Sequence, residues 1–438
     1  MTAPSTTPDT TSAGIRLVLL LTAAASAGYV CRVAITVVAP GIMSDFGLTQ
    51  TQMGTVFSAF LVGYTAFQVP SGGLADRLSA RRIFLVLCGG FTLLTLLTAL
   101  VGWHGFALAL VLPQFWLVRG LFGVIAAPTY PTSGRTIAVI VPARLQARAN
   151  SLVLVSVGIG SALTPVLLAP ITTRYGWRIA LCVAASLSAA AGLLWWFYAP
   201  HEHHARETAA DARNDRNSTQ PRPLRSSSFW FLFSSYLLQG YLGYIFIFWF
   251  YLYLVQVRHF AVLQAATFTA LPWVATIFAI PLGGVLSDLA VTRWGATWGR
   301  RSLPLAALCA GAIFLVIGAR TPSADVAVAA LTACTVLVIC TEGPFWATMT
   351  QLSGQRSGIA GGTMNFGSNI GGMISPALTP WLASRIGWET ALTLTAGLSL
   401  VAGLLWLGVC VDEKGQIEVT DSNRSARLPR LPRGAPPA

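Results

Sequence analysis

Lysine is nearly absent from this chain: of its 28 basic residues only Lys414 is not an arginine. Charge of any kind is scarce, at 10% of residues, where soluble domains carry roughly 25%. A chain so poor in charge, 54% hydrophobic and with mean hydropathy +0.66, falls outside the soluble globular class and reads as a polytopic membrane protein in a lipid bilayer. The net charge of +13 would suit a nucleic-acid partner, yet the arginines lie mostly between or after apolar runs. The positive-inside rule accounts for them, and nucleic acid is set aside.

Clusters of chemistry-bearing residues are missing too. Cys31, Cys88, Cys182, Cys309, Cys334, Cys340 and Cys410 all sit within apolar runs, with no CxxC pair and no histidine spaced to share a metal, and read as packing residues. His201, His203 and His204 crowd a polar stretch with no fourth ligand fixed nearby, so no metal and no cofactor is expected. No nucleophile, phosphate loop or acid pair with catalytic spacing appears. A membrane enzyme or sensor is therefore the remote reading.

What is present is a series of apolar runs near 14-43, 52-71, 83-104, 106-138, 146-170, 177-199, 229-257, 263-287, 302-320, 325-350, 358-384 and 388-410. These predict twelve transmembrane helices and an all-α membrane fold. Ala23 to Ala27 imitate a signal cleavage site, but the apolar run continues past them, and retaining it keeps the span count even. The expected organisation is a disordered cytoplasmic N-terminus over 1-13, a six-helix bundle over 14-199, a cytoplasmic linker over 200-228, a second bundle over 229-410 and a cytoplasmic tail over 411-438. Arg16, Arg77, Arg81, Arg82, Arg144, Arg148, Arg293, Arg300, Arg301, Arg356, Lys414 and the linker and tail arginines all fall on one side, against Arg174, Arg178, Arg258, Arg320 and Arg385 on the other. Both termini are thus expected in the cytoplasm, with the chain in the inner membrane.

Two internal echoes point to duplication. Pro70-Ser-Gly-Gly-Leu-Ala-Asp76-Arg77 with Arg81-Arg82 is echoed by Pro281-Leu-Gly-Gly-Val-Leu-Ser-Asp288 with Arg300-Arg301, and Arg174-Tyr-Gly-Trp177 by Arg385-Ile-Gly-Trp388. The offsets agree, 288 − 76 = 212 and 388 − 177 = 211. Six plus six helices repeated in parallel resemble the major facilitator superfamily, which implies a substrate site at mid-membrane between the halves. The segment Gly72 to Arg82 resembles that superfamily's loop between its second and third helices. There Gly72, Asp76, Arg77, Arg81 and Arg82, with Asp288, Arg300 and Arg301 in the echo, would form a charged latch that holds one conformation.

Substrate chemistry has to be read from polar residues at depth. Of 15 acids only Glu342 falls well inside an apolar run, and the arginines at depth are Arg32 and Arg119. A charge at a helix centre costs about 2.5–3.5 kcal/mol on insertion scales, so each needs a partner. Arg119 or Arg32 could bridge to Glu342. Two cations against one anion otherwise leave room for an organic anion as the third partner. Gly343-Pro344 interrupts the tenth run after Glu342, and Asn365 and Asn369 in the eleventh can bond hydroxyls or glue helices. Tyr241, Tyr244, Trp249 and Tyr251 crowd the seventh, where bilayer-facing packing and ring stacking on a substrate are both open.

The pieces Tyr29 and Arg32, Gln52-Met53-Gly54 through Phe57-Ser58-Ala59-Phe60 with Tyr64, Arg119 with Ala127-Pro128 and Pro131, and Asn365-Phe366 resemble the anion:cation symporter family of sugar-acid and organic-anion carriers. That resemblance implies substrate contacts at Arg32, Tyr29, Tyr64 and Asn365, with Asn369 added, and a fourth-helix role for Arg119. The family commonly carries an acid immediately before the first-helix arginine and another before the Ala-Pro of the fourth, and both resemble its proton-coupling sites. Here those positions are Cys31 and Ala126. The expectation is a monomeric secondary carrier of a small organic anion, a hexuronate or aldonate, working by alternating access. Any symported proton would be carried by Glu342, with sodium ranked behind it. A facilitator or exchanger without proton coupling, or an efflux carrier of the same fold, are the alternatives.

Overall fold

The computed structural model describes residues 10–103, 108–141, 143–199, 225–353 and 357–411; the side chains of a few residues inside helices, including Gly72, Asp76 and Arg77, also fall outside the description. The expected N-terminal stretch 1-13 falls largely outside it, as do most of the linker 200-228 and of the tail 411-438. What is described is almost entirely helical. The elements are α1 (Thr10–Phe46), α2 (Gln50–Arg77), α3 (Ala80–Leu100), α4 (Leu108–Ala126), α5 (Thr129–Ile140), α6 (Ala143–Tyr175) and α7 (Trp177–Tyr198). The second half follows with α8 (Ser227–Leu252), α9 (Val262–Arg320), α10 (Ala324–Cys340), α11 (Glu342–Ser353), α12 (Ser357–Ile386) and α13 (Trp388–Leu405).

Among the described residues the thirteen helices make twelve spans, because five of them do not match spans one to one. The 59 residues of α9 hold two spans that meet at Gly295, where φ is 77°. The pairs α4–α5 and α10–α11 are each one span, interrupted at Ala127–Pro128 and at Thr341. Helices are obligatory here because lipid offers no partner to a backbone N–H or C=O.

Lipid is as apolar as leucine, so what holds helices together is close packing of small residues. A Cβ on Gly63 would strike the Gly120 carbonyl, and one on Gly123 the Phe60 carbonyl, so α2 and α4 touch backbone to backbone. In the second half Gly283 meets the Cys340 carbonyl in the same way, joining α9 to α10. The α1–α6 approach at Gly160 and Ser26 is matched by the α8–α12 approach at Gly371 and Leu237. The duplication is therefore present in packing as well as in sequence.

It is present in backbone angles too. Gly176 (φ 84°, ψ 165°) and Gly387 (φ 81°, ψ 155°) start α7 and α13, directly before Trp177 and Trp388 of the echoed motif. Only glycine populates that region readily. Gly176→Ala and Gly387→Ala are each expected to destabilise the protein by about 1–3 kcal/mol, read as a lower melting temperature in detergent. Gly397→Ala, within α13 and with open space around its Cα, should leave the melting temperature unchanged or slightly higher.

Candidate functional site

Arg32 lies in the middle of α1, 6% exposed, and its guanidinium is enclosed by rings. Cζ is 4.4 Å from the Phe60 ring centre, 4.9 Å from Tyr29, 5.7 Å from Tyr244 and 5.8 Å from Tyr64. Nη1 donates to the Tyr29 hydroxyl and Nη2 to the Tyr244 hydroxyl, both at 3.2 Å. Nε is buried and unbonded. Ring quadrupoles and neutral hydroxyls reduce the cost of burying the cation without neutralising it.

Arg119, on α4 and 1% exposed, does not reach Glu342. Its Nη2 donates to the Arg32 carbonyl at 2.9 Å, and its Cζ lies 4.8 Å from the Phe122 ring and 5.5 Å from Phe60. It thus clamps the α1 backbone at the residue that carries the central cation. Glu342 sits at the start of α11 and accepts from Tyr236 Oη and Gln239 Nε2, both at 2.9 Å and both on α8. The arginine–glutamate bridge that the sequence left open is not made among the described residues.

From Arg32 a hydrogen-bond chain crosses between the halves. Tyr244 Oη accepts from Arg32 and donates to Asn369 Oδ1 at 3.1 Å, and Asn369 Nδ2 donates to Gln68 Oε1 on α2 at 3.0 Å. Asn365, one turn earlier on α12, is half-buried and makes no hydrogen bond among the described residues. Tyr64 presents its ring to Arg32 and stacks on Phe60. The structure therefore brings together Tyr29, Arg32, Tyr64 and Asn369, and leaves Asn365 beside them.

The aromatic α8 is not a bilayer-facing surface along the stretch in question. Tyr241, Tyr244, Trp249 and Tyr251 all point inward: three are buried, and the half-buried Tyr244 reaches Arg32. Phe248 stacks on Phe57 of α2 at 5.1 Å, Gln50 Nε2 donates to Gln256 Oε1 at 2.8 Å and Trp388 Nε1 to Gln50 Oε1 at 3.2 Å. Every hydrogen bond between the halves among the described residues lies between Gln50 and Gln68 along α2, or at Arg32. The halves are thus sealed on the side where α1 ends.

Cys31 faces α7, its thiol against the Ala184 carbonyl at 3.2 Å, whereas Ala126 lines a cavity of about 20 Å³ with Gly28, Tyr29, Arg32, Tyr64 and Tyr130 among its walls. The two positions where the family resemblance would put an acid are therefore not equivalent in space. In the loop echo, Arg300 Nη1 pairs with Asp288 at 2.7 Å and bonds Ser287, while Nε reaches Gln351 of α11. Arg301 bonds the Val409 carbonyl and Cys410 Sγ. In the first half Arg81 donates to the Trp196 carbonyl at 2.7 Å and Arg82 is exposed; Gly72, Asp76 and Arg77 fall among the side chains outside the description.

Gln68, Tyr130, Tyr236 and Gln239 were not singled out by sequence reasoning, and Tyr244 was named only as one of several rings that could stack on a substrate, not as the partner of Arg32. Their local sequence is ordinary apolar helix, and only the folded contacts distinguish them.

A profile of the Major Facilitator Superfamily matches residues 19–366 and 352–436. A probable sulfoacetate transporter of Cupriavidus necator is 31% identical over 391 residues, covering 86% of this chain and 89% of the relative. The hexuronate transporter of Bacillus subtilis is 26% identical, covering 89% and 92%, and a D-galactonate transporter of Escherichia coli is 26% identical, covering 88% and 93%. A bacterial homolog of the human lysosomal transporter Spinster, inward-facing and occupied, shares the fold with TM-score 0.74 at 18% identity over 91% of this chain and 97% of that one. The D-xylose-proton symporter does so with TM-score 0.69 at 14% identity over 90% and 96%. The chain belongs to the Major Facilitator Superfamily.

Proposed function

We propose that this protein is a secondary carrier of a small organic acid, working by alternating access in the cytoplasmic membrane with both termini in the cytoplasm. The observation that carries this reading is Arg32: a buried cation at mid-span, held by four rings and two hydroxyls, with no carboxylate paired to it among the described residues. Such a site is short of one negative charge. A hexuronate or aldonate fits, with its carboxylate on Arg32 and its hydroxyls among Tyr29, Tyr64, Tyr244, Asn365 and Asn369. The small, ring-lined cavity beside Arg32 favours as a second reading a shorter acid with few hydroxyls, such as the sulfoacetate named for one relative.

The seal between the halves gives the transport step a physical basis. An anion arriving at Arg32 competes with Tyr244 for Nη2, and a displaced Tyr244 loosens Asn369 and through it Gln68. Occupancy at the cation and contact between the halves are thereby linked. With the termini cytoplasmic, the sealed side is the outer one and the state is inward-facing. Asp288–Arg300 is already paired in this state and lies within the second half, so a latch on the cytoplasmic side would need further contacts from these arginines to the other half in the opposite state.

Glu342 is the residue for a coupled proton. It accepts two hydrogen bonds here, and the Tyr236 hydroxyl can turn to accept one from a protonated carboxyl, whereas the Gln239 amide nitrogen cannot. Paired with no arginine among the described residues, the carboxylate is free to change charge without breaking an ion pair.

Arg32→Gln in proteoliposomes is expected to raise the half-saturating concentration of organic-acid uptake roughly 10–100-fold, the loss of one charge-assisted contact; unchanged affinity would remove Arg32 as the anion site. Glu342→Gln should abolish uphill accumulation under an imposed pH difference while exchange of labelled for unlabelled substrate survives. Persistent accumulation would end the coupling role. In a cysteine-free background, Gln50→Cys with Gln256→Cys should cross-link readily without substrate and more slowly with it. Tyr244→Phe should blunt that difference, and a substrate effect of undiminished size would sever the link from Arg32 to the seal.

A further inference from the structure

The second half fills a structural position that the first half leaves open. Each half has one span that stops near mid-membrane and restarts, α4 into α5 and α10 into α11. The restarts, Thr129-Tyr130-Pro131 and Glu342-Gly343-Pro344, are related by 342 − 129 = 213 residues, within two of the motif offsets. A helix start presents unbonded N–H groups and the positive end of the helix dipole, and so favours an anion. Broken spans in carriers use such starts for anionic groups of their substrates.

At α11 the anion is resident: Glu342 is the first residue, fixed by Tyr236 and Gln239. At α5 the corresponding residue is Thr129, whose hydroxyl turns back to the Ala126 carbonyl at 2.8 Å, and no side chain caps the start. The cavity of about 20 Å³ lies against this start, walled by Gly28, Arg32, Tyr64, Ala126, Thr129 and Tyr130. Two buried polar groups on its wall have no hydrogen-bond partner, Arg32 Nε and the Tyr130 hydroxyl. A cation, a hydroxyl donor and a helix start converge on one small space, and none of its lining residues carries a carboxylate.

We propose that Tyr130, the first turn of α5 and Arg32 form the pocket for the acid head group of the substrate, so that the substrate takes in the first half the place that Glu342 holds in the second. This rests on the organic-anion reading above. The space is only about 20 Å³, so acid oxygens of the head group reach into it, and the body of the substrate stays on the side of Tyr244 and Asn369. Ala126 is then a specificity-determining residue: its small side chain leaves the head-group volume open. Carboxylates and sulfonates share this chemistry, since both present charged oxygens to the same donors.

The test uses the full-length protein in proteoliposomes, with labelled hexuronate, galactonate and sulfoacetate as probes, and ligand-dependent melting in detergent as a second readout. Tyr130→Phe is expected to raise the half-saturating concentration about 10-fold with the maximal rate within about twofold of wild type, the loss of one hydrogen bond to a charged group. Ser156→Ala, removing a polar neighbour of Tyr130 on α6 that does not line the cavity, should behave as wild type. Ala126→Leu should abolish both uptake and ligand-dependent stabilisation while leaving the melting temperature of the empty protein intact. An effect on one head group only would support the pocket and name carboxylate or sulfonate as its occupant. Wild-type affinity in Tyr130→Phe, an equal loss in Ser156→Ala, or full ligand stabilisation of Ala126→Leu would overturn it. Binding and transport of none of the probes by the wild type would instead bring down the organic-anion reading, and the pocket with it.

Discussion

A cation held by rings and not by an acid is the constraint to which the centre of this protein conforms. Removing Arg32 from water costs about 2.5–3.5 kcal/mol on insertion scales, and a carboxylate neighbour would repay that cost while consuming the charge. Four aromatic faces and two hydroxyls do something different, because each ring contributes about 0.5–2 kcal/mol and leaves the net charge at +1. The elements around α1 follow from this. Phe60 and Tyr64 bring in α2, Tyr244 brings in α8 from the other half, and Arg119 from α4 fixes the backbone carbonyl of Arg32 itself.

The same cation organises the contact between halves. Polarity runs one way along Arg32, Tyr244, Asn369 and Gln68, each group donating to the next, and hydrogen bonds aligned in this sense reinforce one another. The chain begins at a permanent charge and ends on α2, the helix that carries the Gln50 and Phe57 contacts of the seal. A gain or loss of electrostatic demand at Arg32 is therefore felt where the halves meet. Two halves whose hydrogen bonds to each other run along α2 and at Arg32 suit a rocking movement better than a local gate.

Much of the fold was legible in the sequence because bilayer physics allows few answers. Apolar runs long enough to span had to be helices, and the shared offset of about 211 residues declared the duplication that the positive-φ glycines Gly176 and Gly387 then displayed in the backbone. Arg32 and Glu342 were legible for the same reason: a charge in hydrocarbon has to be accounted for. The partners of those charges were not. Tyr244 meets Arg32 across 212 residues, and nothing local separates a tyrosine that caps an arginine from one that sits at the lipid interface. Gln68 and Tyr130 were hidden likewise, since both depend on which faces the helices turn toward one another. One signal was available and unused: Pro131 stands 213 residues before Pro344, so the break in the tenth span implied a break in the fourth.

The two positions where the family resemblance would put an acid, read together, explain how this chain departs from the arrangement that resemblance implies. Cys31 lies behind α1 against α7, so its lack of charge alters the surroundings of Arg119 and leaves the cavity untouched. Ala126 lies in the cavity wall, so its lack of a carboxylate removes a competitor for Arg32 and opens volume at the start of α5. A single change of the second kind turns a site for a resident anion into a site for a visiting one. The first half is then left with two buried arginines and no buried acid among its described residues, and the second with a lone glutamate at the symmetry-related helix start. An incoming acid group completes the symmetry that the duplication began, and that is a physical reason for the halves to close around it.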